Sequence, residues 1–142
     1  MKLLCRFFVP GQPATQGSKR HVGRGRIVDS CKRLPQWRRD VGRMAQAHYS
    51  GPPVSCPVHV VARFYLTRPK SHFRANGELK PGAPLRPGKR PDLTKMFRAV
   101  EDAMEGIVYR NDSQVCAQNT LKCYAPTSTD ALGQGVSVEV YA

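Results

Sequence analysis

Residues 68–91, "RPKSHFRANGELKPGAPLRPGKRP", set the strictest limit on how this chain can fold. The segment holds five Pro and three Gly with hardly any apolar residue. No long helix or core strand can run through such a stretch, so regular structure must come from either side of it. Its seven Lys and Arg face a lone acid, Glu78. A loop this long inside a small domain is uncommon and often functional. It reads either as a flexible solvated loop or as a basic arm that touches nucleic acid.

The flanks are more regular. "LLCRFFV" (3–9) reads as a strand, and "PGQPATQGSKR" after it as a loop. "HVGRGRIVD" reads as a small hairpin turning at Gly23 to Gly25. Leu34, Trp37, Val41, Met44 and Ala45 recur at helical spacing, so residues 34–49 form a first helix. Trp37 is then a core residue rather than a platform for a base. "CPVHVVARFYLT" (56–67) is a strand. A second helix runs from Leu93 to Glu105 and stops at Gly106. "IVY" (107–109) is a short strand, "RNDS" a turn, "QVCAQNTLKCYA" a long strand and "GVSVEVYA" the last one. The expectation is an α+β fold in a single domain, 1–142. It has a mixed β-sheet, two main helices mainly on one face, and the 68–91 loop.

The chain is 142 residues long, with 23 Lys and Arg against 10 Asp and Glu. A formal charge of +13 costs self-repulsion and suits a polyanionic partner, nucleic acid first. No long basic amphipathic helix supports a membrane surface instead, and no stretch approaches transmembrane length. Arg6 interrupts the first apolar run, which argues against a signal peptide. The five cysteines form no C-x-x-C pair and the four histidines show no ligand spacing, which argues against a zinc finger. Reduced thiols in a cytoplasm fit best.

Against this basic background, Asp92, Glu101, Asp102, Glu105 and Asp112 place half of the acids in one short stretch. At about 100° per residue, Met96, Val100, Ala103, Met104 and Ile107 fall on a core face. Lys95, Arg98 and Asp102 share a neighbouring polar stripe, and Asp92 lies near the edge between the two. Three local readings are available: Asp92 as an N-cap, Arg98 and Asp102 as an i,i+4 pair, and Asp112 as turn chemistry. The other reading is a site for Mg²⁺, which prefers oxygen ligands, inside a basic frame that offsets charge on a phosphate.

The stretch "PDLTKMFRAVEDAMEGIVYRNDSQV" resembles the signature of RusA-type Holliday-junction endonucleases. That signature runs D-x-D-N-L-x-K-x-x-x-D-A-L, then a short link and D-D-x-Q-[VI]. "VPGQPATQGSKRHVGRGRIVDSCKRLPQWRRDV" resembles phage-type members of the family. The resemblance implies a homodimer that binds four-way DNA junctions and cuts two strands symmetrically, using Mg²⁺ or Mn²⁺, in a bacterial or phage-infected cytoplasm. By position it assigns Asp92 and Asp112 to the metal, with Asp102 as a third or outer carboxylate. Arg98 stands at the family's Lys and Lys95 at its Asn, as helpers at the scissile phosphate. Lys19, Arg20, Arg24, Arg26, Lys32, Arg33, Lys89 and Arg90 are the expected DNA contacts. The chain departs from the signature at Thr94, where the family has a second Asp, and at Asn111, the first Asp of the turn. A branched-DNA-binding protein that does not cut is the alternative reading. An RNA-binding module would leave the acids unexplained.

Overall fold

A computed structural model describes residues 1–29, 31–126 and 133–142. Strand β1 (Leu3–Pro10) is followed by a hairpin, β2 (Lys19–His21) and β3 (Ile27–Asp29). Helix α1 (Leu34–His48), strand β4 (Val58–Leu66), helix α2 (Leu93–Met104), and strands β5 (Val115–Tyr124) and β6 (Gly135–Tyr141) complete the order. The main sheet has strand order β1-β6-β4-β5. Pairing is antiparallel except between β4 and β5, which run parallel. Parallel neighbours cannot be joined by a tight hairpin. Residues 67–114, with α2 inside them, make the crossover.

Alternation along the strands builds the core. Cys5, Phe7 and Val9 of β1, Val136, Val138 and Val140 of β6, and Val58, Val60, Ala62, Phe64 and Leu66 of β4 are all buried. Registers such as Phe7 with Val138 and Ala62 with Val138 put them on one face. The helices cover that face: α1 packs on β1 and on α2, and α2 packs on β5. Leu34, Trp37, Val41 and Ala45 of α1 meet Met96, Phe97, Val100 and Met104 of α2 in one buried cluster. Trp37 is therefore a core residue. The α+β mixed sheet with helices on one face agrees with the sequence.

Two expectations change. Ile107–Tyr109 is not a strand. Gly106, at φ +81°, reverses the chain after α2, and Tyr109 makes only isolated bridges to Val54 and Glu105. Nor is 68–91 without structure. It holds a 3-10 turn at Lys70–His72 and an isolated bridge between Phe73 and Leu79. Arg68 stacks 4.3 Å from the Tyr124 ring centre and donates to the Pro84 carbonyl at 2.8 Å, fastening the segment to the end of β5. A second tie is Lys122, whose Nζ donates to the carbonyls of Lys89 and Pro91 at 2.7 and 2.9 Å.

Candidate metal centre and nucleic-acid surface

Helix α2 separates its two sides as its sequence dictates. Met96, Val100 and Met104 are fully buried, and Ala103 and Ile107 pack partly buried against them. On the polar side, the loop after β1 lies over the stripe. The Gln16 amide N–H donates to the Lys95 carbonyl at 3.0 Å, and Lys95 Nζ donates to Ser18 Oγ at 3.0 Å. Gln16 Nε2 donates to Asp102 Oδ2. Gly17 sits at φ +105°, and a Cβ there would meet an Arg98 guanidinium nitrogen at 2.8 Å. The positive φ favours glycine, and an added Cβ would oblige the flexible end of Arg98 to shift.

At the end of α2, the structure brings together Glu101, Asp102 and Asp112. One carboxylate oxygen from each lies within 4.8 Å of the others, the one group of three or more such donors among the described residues. Asp112 reaches the helix because its turn is built firmly. The Asn111 side chain accepts from the Ser113 amide at 2.9 Å, and the Gln114 side chain accepts from the Asn111 amide at 2.9 Å. This reciprocal capping box opens a 3-10 turn over Asp112–Gln114. Gln114 Nε2 also donates to the carbonyls of Val54 and Cys56, each at 2.8 Å, fixing the turn against the segment before β4. Buried Tyr109 closes the floor, its hydroxyl donating to the Glu101 carbonyl at 2.6 Å.

The electrostatics of the trio are unfavourable as it stands. Burial, then the charges of Asp112 and Asp102, push the Glu101 carboxyl up from 4.5 to about 7; Arg98 opposes the shift and Glu105 adds to it. Burial, then Glu101, Asp102 and Asp112, also push the Tyr109 hydroxyl up. No basic residue stands in the last turn of α2, where the helix dipole is negative and cations are preferred. Three hard oxygen donors in reach of one another, each repelling the next, fit a divalent cation of the Mg²⁺ or Mn²⁺ kind. Octahedral Mg²⁺ at 2.0–2.1 Å from each oxygen sets ligand oxygens roughly 3–4 Å apart. Small side-chain rotations therefore close the group.

Asp92 is placed elsewhere. It caps the N-terminus of α2, its Oδ1 accepting from the Lys95 amide at 3.3 Å. Ten residues at 1.5 Å each put it about 15 Å along the helix from Asp102. In this chain, Asp92 is outside the group formed by Asp102 and Asp112. It lines a cleft with Ser18, Lys19, Arg90 and Lys95 instead. Thr94, exposed in the first turn, belongs to that same end. Arg98, also exposed, lies between the two ends.

The expected DNA contacts are exposed: Lys19, Arg20, Arg24 and Arg26 on the hairpin, Lys32 and Arg33 before α1, and Lys89 and Arg90 before α2. Arg33 also braces the loop after β1, donating to the Gln12 and Pro13 carbonyls at 2.6 and 3.3 Å. Sequence reasoning counted Glu101 among the acids but gave it no role. Its signal was an adjacent Glu-Asp pair near the end of a helix whose last turn carries no base. The Asn111-x-x-Gln114 spacing likewise announces the capping box. Nothing in the sequence announces that Gln16 reaches Asp102.

The fold is an α+β domain with a carboxylate trio on a chain of formal charge +13. The chain belongs to the RusA family of endodeoxyribonucleases: residues 10–139 match the family described as endodeoxyribonuclease RusA. Members of this family are nucleases acting on branched DNA junctions. The chain is also similar to the uncharacterized protein YqaN of Bacillus subtilis (strain 168), at 28% identity over 125 residues, which is 84% of this chain and 87% of that protein. Among the described residues, no helix is long and apolar enough to cross a membrane.

Proposed function

We propose that this chain is a Mg²⁺-dependent, structure-selective endonuclease that resolves four-way DNA junctions in recombination and repair. The observation that carries the reading is the grouped trio of Glu101, Asp102 and Asp112 at the negative end of α2. Mg²⁺, or Mn²⁺ in its place, would be held there and would supply a Lewis acid and an activated water. Arg98, one helical turn before Asp102, faces a phosphate that enters over Gly17 and offsets its charge. Lys95, held by Ser18, extends the same positive track toward Asp92. Gln16 fixes one Asp102 oxygen and leaves the other for the cation. Asp92 acts chiefly as the helix cap, so the carboxylate replaced by Thr94 is supplied at the other end of the helix by Glu101.

The enzyme works as a homodimer, since a two-fold arrangement gives a pseudo-symmetric junction two equal sites. Its DNA substrate puts its work in the cytoplasm of a bacterium or infected host. The second reading, a junction-binding protein that does not cut, rests on Thr94. A labelled synthetic junction incubated with Mg²⁺ or with EDTA separates them. Paired nicks that require Mg²⁺ are the expected result. Tight binding with no cleavage in Mg²⁺ or Mn²⁺ would establish the second reading. A monomeric mass in light scattering at working concentration would contradict the dimer.

A further inference from the structure

The β2–β3 hairpin stands outside the core's logic. Every residue from Lys19 to Val28 is exposed. The two strands pack chiefly on each other and belong to no larger sheet. A two-stranded ribbon without a buried face is marginal in water. Yet this one exposes Ile27 (54%), Val28 (38%) and Val22 (36%) together within seven residues. Lys19, Arg20, Arg24 and Arg26 surround them, and the hairpin's one acid, Asp29, ends β3 in register with Lys19. The registers of Arg20 with Val28 and His21 with Ile27 give each face of the ribbon a polar and an apolar side chain. Arg24 occupies the turn between Gly23 and Gly25 at φ +51°. At the hairpin's base, Ile27 and Val28 share a cleft with Lys32, Arg38 and Arg39.

A second copy of this chain would bring like charge to like charge. Duplex DNA brings phosphates to the cations and base edges to the apolar side chains. Paired strands lie about 4.8 Å apart, and a two-stranded ribbon fits the roughly 12 Å major groove but not the roughly 6 Å minor groove. We propose that the β2–β3 hairpin enters the major groove of a junction arm, with Arg20, Arg24 and Arg26 on the flanking phosphates and Ile27 against base edges. This rests on the DNA-cleaving reading above. It adds the element that grips the arm, with Arg38 and Arg39 of α1 on the backbone beside it.

The test is a dimethyl sulfate footprint of the wild-type protein on a four-way junction in EDTA. Insertion protects guanine N7, in the major groove, over a short run of each arm and leaves adenine N3 reactive. Arg20→Ala/Arg24→Ala/Arg26→Ala should lose the protection and lower the log–log salt slope of binding by about 0.9 per phosphate contact removed. Ile27→Ser should lose protection with the slope unchanged. Both variants should keep the wild-type melting temperature, since the hairpin lies outside the core. Reactive N7 throughout the bound arms, protection of adenine N3 instead, or protection that survives both variants overturns the proposal. Cleavage is read separately in Mg²⁺. A protein that binds and cuts the junction with N7 open refutes the hairpin alone, whereas one that binds no DNA refutes both readings.

Discussion

The two ends of α2 place carboxylates in opposite circumstances. At the N-terminus, Asp92 accepts from the Lys95 amide where the helix dipole is positive, so its charge is welcome. At the C-terminus, Glu101 and Asp102 stand where the dipole is negative, and Asp112 is held against them by a capped turn. The first carboxylate serves folding as a cap. The second group works against folding, and local rules broken without a structural gain mark functional sites. The difference sets a helix cap apart from the proposed cation site along a single helix.

Substitutions that keep shape and remove charge should expose that difference most strongly. Asp112→Asn should lower junction cleavage by more than about 100-fold, beyond the 10–100-fold typical of groups that only orient a ligand. Junction affinity, measured by anisotropy in EDTA, should hold. Asp92→Asn keeps a good cap and should cost far less activity in the same assay. Equal losses in the two variants would erase the distinction between the ends.

Gly17→Ala tests the path between them. The added methyl strains a positive-φ position and pushes on Arg98. It should destabilise the protein by about 1 kcal/mol or more in urea unfolding and slow cleavage with it.

The trio's repulsion should also appear as pH dependence. The Glu101 carboxyl titrates at about 7 in the folded chain against 4.5 as its ordinary value. The folded state thus binds this proton more tightly than the unfolded one. The associated stability is present below pH 4.5 and is lost as pH rises to about 7. Melting temperatures in EDTA should fall over that window relative to Glu101→Gln, and Mg²⁺ should restore them. A flat difference between the two proteins would show that the trio carries no strain.

The smallest effects concern the caps. Asp92→Ala should cost roughly 1 kcal/mol and Asp92→Asn a few tenths at most. Asn111→Asp, which restores the family residue, should leave stability within about 0.5 kcal/mol, because either side chain accepts from the Ser113 amide. Thermal melts at fixed pH and saturating Mg²⁺ measure both.

The sequence exposed those features that depend on local period and cap chemistry. Trp37, Met96, Val100 and Met104 occupy the core faces their spacing assigns them. Gly106 stops α2 as expected, and the strands fall close to their apolar runs. Ile107–Tyr109 misled because three apolar residues look alike in a strand and in a buried turn, and only Gly106 and the Tyr109 bridges decide. The parallel pairing of β4 with β5 was not legible, since register is set by the packed sheet. Asp102 and Asp112 were legible as candidates. Their grouping with Glu101, and the separation of Asp92, were not. Both depend on where β5 begins relative to α2, which Gln114 fixes through backbone carbonyls 58–60 residues earlier in the chain.

Mn²⁺ binding measured by electron paramagnetic resonance on the wild type, Asp92→Asn, Asp102→Asn and Asp112→Asn tests the central claim most directly. The C-terminal end of α2 as the cation site predicts that the wild type and Asp92→Asn bind Mn²⁺ alike, while Asp102→Asn and Asp112→Asn lose it. Undiminished binding in Asp112→Asn, or its loss in Asp92→Asn alone, would contradict the account.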